Sequence, residues 1–135
     1  MKAKAKKALH VGIISMLIVV MLSVTCYAYS NGFSIPSGSK TWNGKNNGVL
    51  WGFDISDEVT WTLTNTTSAN RTLVGKIYYV RTLLPDVQVG GMVTVTGGNG
   101  TSNTGNFVPY TDRGYYPVIT DESKLGSTGT VSATQ

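Results

Sequence analysis

The side chains that could do chemistry are concentrated in one short segment near the end of the chain. Tyr110, Tyr115 and Tyr116 surround a turn that also contains Asp112 and Arg113. A tyrosine-rich loop makes a good contact surface, because a large ring with two rotatable χ angles loses little entropy when it is ordered. The segment therefore predicts a ligand-binding loop. The alternative is that these rings only cover one end of the fold.

The three tryptophans are the next candidates, because exposed rings bind sugar faces and buried rings fill small cores. Trp61 alternates with threonines, and Trp51 lies between Val49 and Phe53, so both are predicted to be core. Trp42 is surrounded by Ser, Lys, Thr, Asn and Gly residues, a composition typical of loops. We therefore predict that Trp42 is exposed and contributes to ligand binding.

Three acidic residues, Asp54, Asp57 and Glu58, lie close together in the sequence. Loop carboxylates of this kind can hold Ca²⁺, but the spacing lacks the pattern and glycine of an EF-hand loop. Two acids could also form a glycosidase pair, although acid pairs arise by chance on most surfaces. The segment is best interpreted as a solvated turn, so no metal site and no catalytic residue is predicted.

Histidine and cysteine each occur once, as His10 and Cys26, and both fall in a predicted leader. The remaining chain can therefore form neither a Ser-His-Asp triad nor a Cys-His nucleophile. It also lacks the usual zinc ligands and the two cysteines that an internal disulfide needs. We predict a protein that is not an enzyme and uses no cofactor.

The N-terminal residues have the three parts of a secretory signal. Four lysines within the first seven residues precede an almost wholly apolar run from residue 11 to residue 24, and Cys26-Tyr27-Ala28 forms a small-x-small exit. We predict a helical signal peptide over residues 1–28, cut after Ala28. One alternative is an uncleaved membrane anchor. Another is lipidation at Cys26, which is disfavoured because Thr25 precedes it.

The formal net charge of +4 comes entirely from the lysines of the leader. In residues 29–135, seven positive side chains balance seven negative ones. Nucleic-acid binding needs a clustered basic face, so no nucleic-acid partner is predicted. The membrane is expected to be involved only through the export signal.

Hydrophobic alternation predicts strands throughout residues 29–135. The clearest is residues 59–64, where Val59, Trp61 and Leu63 share one face. The next strand is predicted over residues 72–83, apolar on both faces and paired with the first in an antiparallel hairpin. A third is predicted over residues 87–96, with a bulge at Gly90-Gly91.

The remaining residues alternate short strands with turns. Strands are expected over residues 33–35, 49–53, 107–110, 115–120 and 128–134, and residues 97–106 are expected to form a loop. The pattern predicts one all-β domain, a small antiparallel sandwich of seven or eight strands. A small β-barrel is the second choice.

These patterns favour a secreted or cell-surface protein without enzymatic activity. It would bind a cell-envelope glycan or protein through its strand ends and loops. The alternative is an exported bacteriocin-like or toxin-like effector that acts on another cell's envelope. An enzyme is the third and least favoured class.

Overall fold

The computed structural model describes residues 26–135, so that most of the predicted signal peptide lies outside the described residues. These residues form nine antiparallel strands and one short 3-10 turn at Lys45–Asn47. The strands are β1 Ala28–Ile35, β2 Thr41–Asn43, β3 Trp51–Gly52, β4 Val59–Asn65, β5 Arg71–Tyr79, β6 Val87–Gly97, β7 Thr101–Phe107, β8 Arg113–Asp121 and β9 Ser127–Thr134.

The strands form two sheets that pack face to face. The first sheet has the order β1-β9-β4-β7, and the second has the order β2-β8-β5-β6 with β3 also paired to β8. The predicted all-β sandwich is confirmed, with nine strands instead of seven or eight. The core lies between the sheets, where alternate residues of each strand point inward; in β4 these are Val59, Trp61 and Leu63, all fully buried.

The predicted hairpin between the strands at residues 59–64 and 72–83 is wrong. Strand β4 pairs with β7 and β9, whereas β5 pairs with β6 and β8. The chain crosses from one sheet to the other after Asn65, and the two strands meet across the core. A Cβ atom at Gly75 of β5 would lie 3.0 Å from both Trp61 and Leu63, so the glycine is what allows the bulky side chains of β4 to pack there.

Three other segments differ in part from expectation. Residues 107–110 were predicted as a strand, but only Phe107 belongs to β7, and residues 108–110 lie in the connection to β8. Residues 97–106, predicted as a loop, contain most of β7, a polar strand at the edge of the first sheet. Strand β5 ends at Tyr79, four residues earlier than predicted. The bulge in β6 is confirmed, since Val93 pairs with Gly75 and Val89 with Ile77, which leaves extra residues on the β6 side.

The connections divide between the two ends of the sandwich. Residues 53–58 (the β3–β4 loop), 80–86 (the β5–β6 loop) and 108–112 (the β7–β8 loop) lie at the end where β1 starts and β9 finishes. We call this the terminus end. The β1–β2, β4–β5, β6–β7 and β8–β9 connections lie at the opposite, far end.

Both chain ends are built into the terminus end. The Tyr27 ring packs edge-on against Phe53, with ring centroids 6.4 Å apart. The Gln135 backbone N–H donates to the Tyr27 carbonyl oxygen at 3.0 Å, and Ala28 pairs with Thr134. Tyr27 and Ala28, which the sequence assigns to the signal peptide, thus make contacts that belong to the folded domain.

A chain that begins at Tyr29 should therefore unfold at a lower temperature than one that begins at Cys26. It loses the Tyr27–Phe53 ring pair, the hydrogen bond from the Tyr27 hydroxyl to Asp54 and the backbone hydrogen bond from Gln135 to Tyr27. The midpoint should fall by roughly 5 °C for each kcal/mol lost. Thermal unfolding of the two purified chains measures the difference. Equal midpoints would show that the contacts of Tyr27 contribute nothing.

Candidate functional site

The two neighbouring tyrosines of the predicted binding loop lie on opposite faces of β8. The Tyr115 ring is fully buried in the core. Its hydroxyl oxygen accepts the backbone N–H groups of Tyr110 at 2.7 Å and Thr111 at 3.0 Å. Tyr115 therefore holds the β7–β8 loop through its hydroxyl group. Its ring lies in the core and not at the predicted contact surface.

Trp42 does not lie in a loop, and the prediction that it is exposed is wrong. It is the middle residue of β2 and pairs with Ile119 of β8, and only 8% of its surface is exposed to solvent. Its ring packs against Phe33 with centroids 5.9 Å apart. A strand of three residues is too short to show alternation among polar neighbours, so the sequence pattern gave no sign of it.

Tyr116 lies on the outer face of the second sheet, where other side chains cover it. Its ring stacks on Tyr78 at a centroid distance of 5.9 Å and an interplanar angle of 22°. The Lys45 ammonium lies 5.7 Å from the ring centroid on another side, a cation–π distance. The hydroxyl donates to Asp86 Oδ2 at 2.8 Å, so Tyr116 ties the sheet to the β5–β6 loop.

Asp86 is the residue that fixes the β5–β6 loop. Its carboxylate accepts hydrogen bonds from Lys45 Nζ at 2.8 Å, from the Tyr116 hydroxyl at 2.8 Å and from the Arg81 backbone N–H at 3.1 Å. These hydrogen bonds lower the pKa of Asp86 to about 2. The bond from Lys45 has the largest effect and the bond from Tyr116 the next largest. Burial and then the hydrogen bond to Asp86 raise the pKa of Tyr116 above its ordinary value.

This lowered pKa predicts a pH-dependent contribution of Asp86 to stability. Because the pKa is lower in the folded protein, the contribution is complete above the ordinary aspartate value and is lost as the pH falls toward about 2. The difference in free energy of unfolding between wild type and Asp86→Asn should shrink as the pH is lowered from about 5 to about 2. Denaturant titrations at several pH values measure it. A difference that is independent of pH would contradict the prediction.

Exposed apolar side chains are grouped on the three loops of the terminus end. Leu83 is 98% exposed, an extreme value for a leucine. Single exposed apolar residues are ordinary, but several on adjoining loops mark an interaction surface. We call this set the apolar loop end; its members are Ile55 of the β3–β4 loop, Leu83 and Leu84 of the β5–β6 loop, and Val108 and Tyr110 of the β7–β8 loop.

The backbone holds Leu83 outward in a conformation that leucine disfavours. Its φ angle is 62°, in the left-handed region. Such a conformation persists where the surroundings determine it, and it often occurs at functional sites. The loop is anchored on both sides, because the Val80 N–H donates to the Gly114 carbonyl at 2.8 Å and Asp86 is held as described.

The other loops are anchored in a similar way. The exposed Tyr110 ring rests against Tyr79, with centroids 6.3 Å apart. Asp112 and Arg113 form an exposed ion pair of 3.3 Å beside it, and the Asp112 carbonyl accepts the Phe53 N–H at 2.9 Å. The structure therefore keeps Tyr110, Asp112 and Arg113 at the surface of one end, as candidates for contact with a ligand.

The three neighbouring carboxylates make separate contacts. Tyr27 donates to Asp54 at 3.3 Å and Asn106 donates to Glu58 at 2.8 Å, whereas Gln135 donates to the backbone carbonyl of Asp57 at 3.0 Å. Within residues 26–135 no group of three or more acidic, histidine or cysteine side chains could hold a metal ion. In the same residues, no helix has the length and hydrophobicity needed to cross a membrane.

The apolar loop end was missed by sequence reasoning, because Leu83 was assigned to the end of a long strand and Leu84 was given no role between that strand and Pro85. The sequence feature that could have identified this loop is Pro85, because proline disfavours a helical conformation in the residue before it and is typical of turns. Two leucines next to that proline, beyond the last alternating residue Tyr79, indicate a loop with exposed apolar side chains.

No protein-family model and no curated protein matches the chain. Among solved structures, it is similar to the Yersinia pseudotuberculosis-derived mitogen, at 13% identity over 80% of this chain and 85% of that one, with a TM-score of 0.49. It is also similar to a structure described as CBM4, at 13% identity, a TM-score of 0.45, and 77% and 66% coverage.

A third similar structure contains the CBM22-1 and GH10 modules of Clostridium thermocellum xylanase 10B, at 13% identity and a TM-score of 0.48. The match covers 84% of this chain and 25% of the xylanase chain. With all three TM-scores below 0.5, none of these similarities assigns a ligand to this chain.

Proposed function

We propose that this chain is an exported, non-enzymatic binding protein that contacts a component of the cell envelope through the apolar loop end. The observation that carries the proposal is the nearly complete exposure of Leu83 on an anchored loop. Four further exposed apolar side chains lie on loops at the same end of the sandwich. Loops placed on a rigid sheet scaffold are where binding residues concentrate.

The chemistry of this end supports binding over catalysis. Four of its exposed side chains are aliphatic, and its one exposed ring, Tyr110, can stack or donate a hydrogen bond. Asp112 and Arg113 supply exposed charges beside that ring. An apolar centre with polar and charged neighbours is the composition of a protein–protein or protein–ligand contact surface.

The double substitution Leu83→Ser with Leu84→Ser should weaken binding to purified envelope material at least tenfold. Each buried leucine contributes about 1.5–3 kcal/mol to an apolar contact, and about 1.4 kcal/mol corresponds to a factor of ten. Sedimentation of the protein with washed cell envelopes measures the binding. The matched control is Leu125→Ser, since Leu125 is 62% exposed but lies at the far end.

Equal binding by the double variant and wild type would overturn the proposal, as would an equal loss in Leu125→Ser. Envelopes of the producing cells and of unrelated cells are compared in parallel. Binding only to the unrelated cells would favour the alternative function, an effector directed at another cell.

A further inference from the structure

The apolar loop end has a chemistry and a position that suit a lipid surface. We propose that it lies on the bilayer from which the chain emerges, so that the domain rests on the membrane with its far end toward the solvent. This inference names the partner of the site proposed above and therefore rests on that proposal.

The first argument is where the chain enters the domain. Tyr27 packs on Phe53 at the terminus end, beside the three apolar loops. The apolar run of residues 11–24 ends only three residues earlier in the sequence. Three extended residues span about 10 Å. The proposal takes the alternative interpretation of this run, an uncleaved membrane anchor, which holds this end of the domain within about that distance of the lipid.

The second argument is the chemistry of the side chains at this end. Ile55, Leu83, Leu84 and Val108 are between 48% and 98% exposed and are purely aliphatic. Their transfer from water to an apolar medium is favourable in proportion to the area removed from water. Tyr110 combines an apolar ring with a polar hydroxyl, which suits the boundary between headgroups and acyl chains.

The third argument concerns charge and selects the type of lipid. The loops of this end carry five acidic side chains against one arginine, and a second arginine follows at the start of β8; they are Asp54, Asp57, Glu58, Asp86 and Asp112 against Arg81 and Arg113. Lys45 lies nearby but is paired with Asp86 at 2.8 Å. An end with excess negative charge is repelled by anionic headgroups. We therefore expect contact with zwitterionic lipid, weakened when anionic lipid is added.

The test measures the depth of two positions in the full chain reconstituted into phosphatidylcholine vesicles. Cys26 is replaced by serine, and a nitroxide is attached at Thr82→Cys or, as control, at Leu125→Cys. Thr82 is exposed beside Leu83, and Leu125 is exposed at the far end. Relaxation by oxygen, which partitions into lipid, is compared with relaxation by a water-soluble nickel chelate.

The label at position 82 should be severalfold more accessible to oxygen, relative to nickel, than the label at position 125. Replacing Leu83 and Leu84 by serine should reduce that ratio to the value at position 125, as should a large fraction of phosphatidylglycerol. The serine substitutions and the phosphatidylglycerol vesicles together distinguish direct contact of the loops with lipid from mere closeness of the domain to the membrane, which the N-terminal segment alone could cause.

Equal, water-like accessibility at both positions would overturn the bilayer contact. The envelope-binding experiment would then still decide the proposed function. Loss of envelope binding in the leucine variant, together with a water-like label at position 82, would assign the apolar loop end to a protein partner.

Discussion

Replacing Trp61 by alanine is expected to lower the free energy of unfolding by about 3–5 kcal/mol. The side chain is fully buried. It packs beneath Gly75 of the opposite sheet and beside Gly105 of β7, where a Cβ atom would lie 2.9 Å from the indole nitrogen. Since Trp61 Nε1 makes no hydrogen bond within the protein, the whole loss arises from packing. The loss is a large share of a typical free energy of unfolding, which is about 5–15 kcal/mol. Chemical denaturation of the variant and the wild type measures it.

Trp42→Ala is the informative comparison for that experiment. The sequence predicted an exposed ring whose removal has little effect, but the ring is 8% exposed and packs on Phe33. We now expect a loss well above the roughly 0.5 kcal/mol of ordinary surface substitutions. An unchanged stability in Trp42→Ala would contradict the buried position of this ring, and an unchanged stability in Trp61→Ala would contradict the packing of the core.

Replacing Asp121 by alanine should also destabilise the protein strongly, by about 3 kcal/mol. The side chain is fully buried. It accepts hydrogen bonds from the Ser123 backbone N–H at 2.9 Å, from the Ser123 hydroxyl at 2.6 Å and from the Ser127 hydroxyl at 2.5 Å. Removing the carboxylate leaves the buried Ser127 hydroxyl and both Ser123 donors without their partner at the turn between β8 and β9.

The same contacts determine how the contribution of Asp121 to stability changes with pH. Burial raises the pKa of Asp121, but the hydrogen bonds from Ser123 and Ser127 outweigh it, and the pKa is lowered overall. The contribution of Asp121 is therefore present above the ordinary aspartate pKa and is lost in more acidic solution. The control is Glu122→Ala, because Glu122 is an exposed neighbour paired only with Lys40. If the two variants unfolded at the same denaturant concentration, the proposed role of Asp121 would be wrong.

The fold class could be predicted because β4 and β9 alternate over most of their length, and turn residues separate the strands. Pairing could not be predicted in the same way. Alternation shows that β4 and β5 each bury a face, but two strands that share a core can lie in one sheet or in opposite sheets. Strand β7 was missed because an edge strand of Thr, Ser, Asn and Gly buries only its last residue, Phe107.

The candidate site could be predicted only in part, for a related reason. Sequence reasoning grouped Tyr110, Tyr115 and Tyr116 because they are neighbours in the chain, yet β8 sends the last two to opposite faces. The structure instead groups Tyr110 with Leu83 and Ile55, which come from three loops far apart in the sequence. Such a cluster depends on which strand ends share one end of the sandwich, and local patterns do not contain that information.

The position of β9 has a consequence for the order in which the chain can fold. Of the strands in residues 26–135 it is synthesised last, yet it lies between β1 and β4 and pairs with both. The first sheet therefore cannot assemble until residues 127–134 have been made and have left the ribosome. Contacts between residues that are distant in the sequence also form slowly. For the export proposed above, an incomplete first sheet would keep the emerging polypeptide open for threading through a secretion channel.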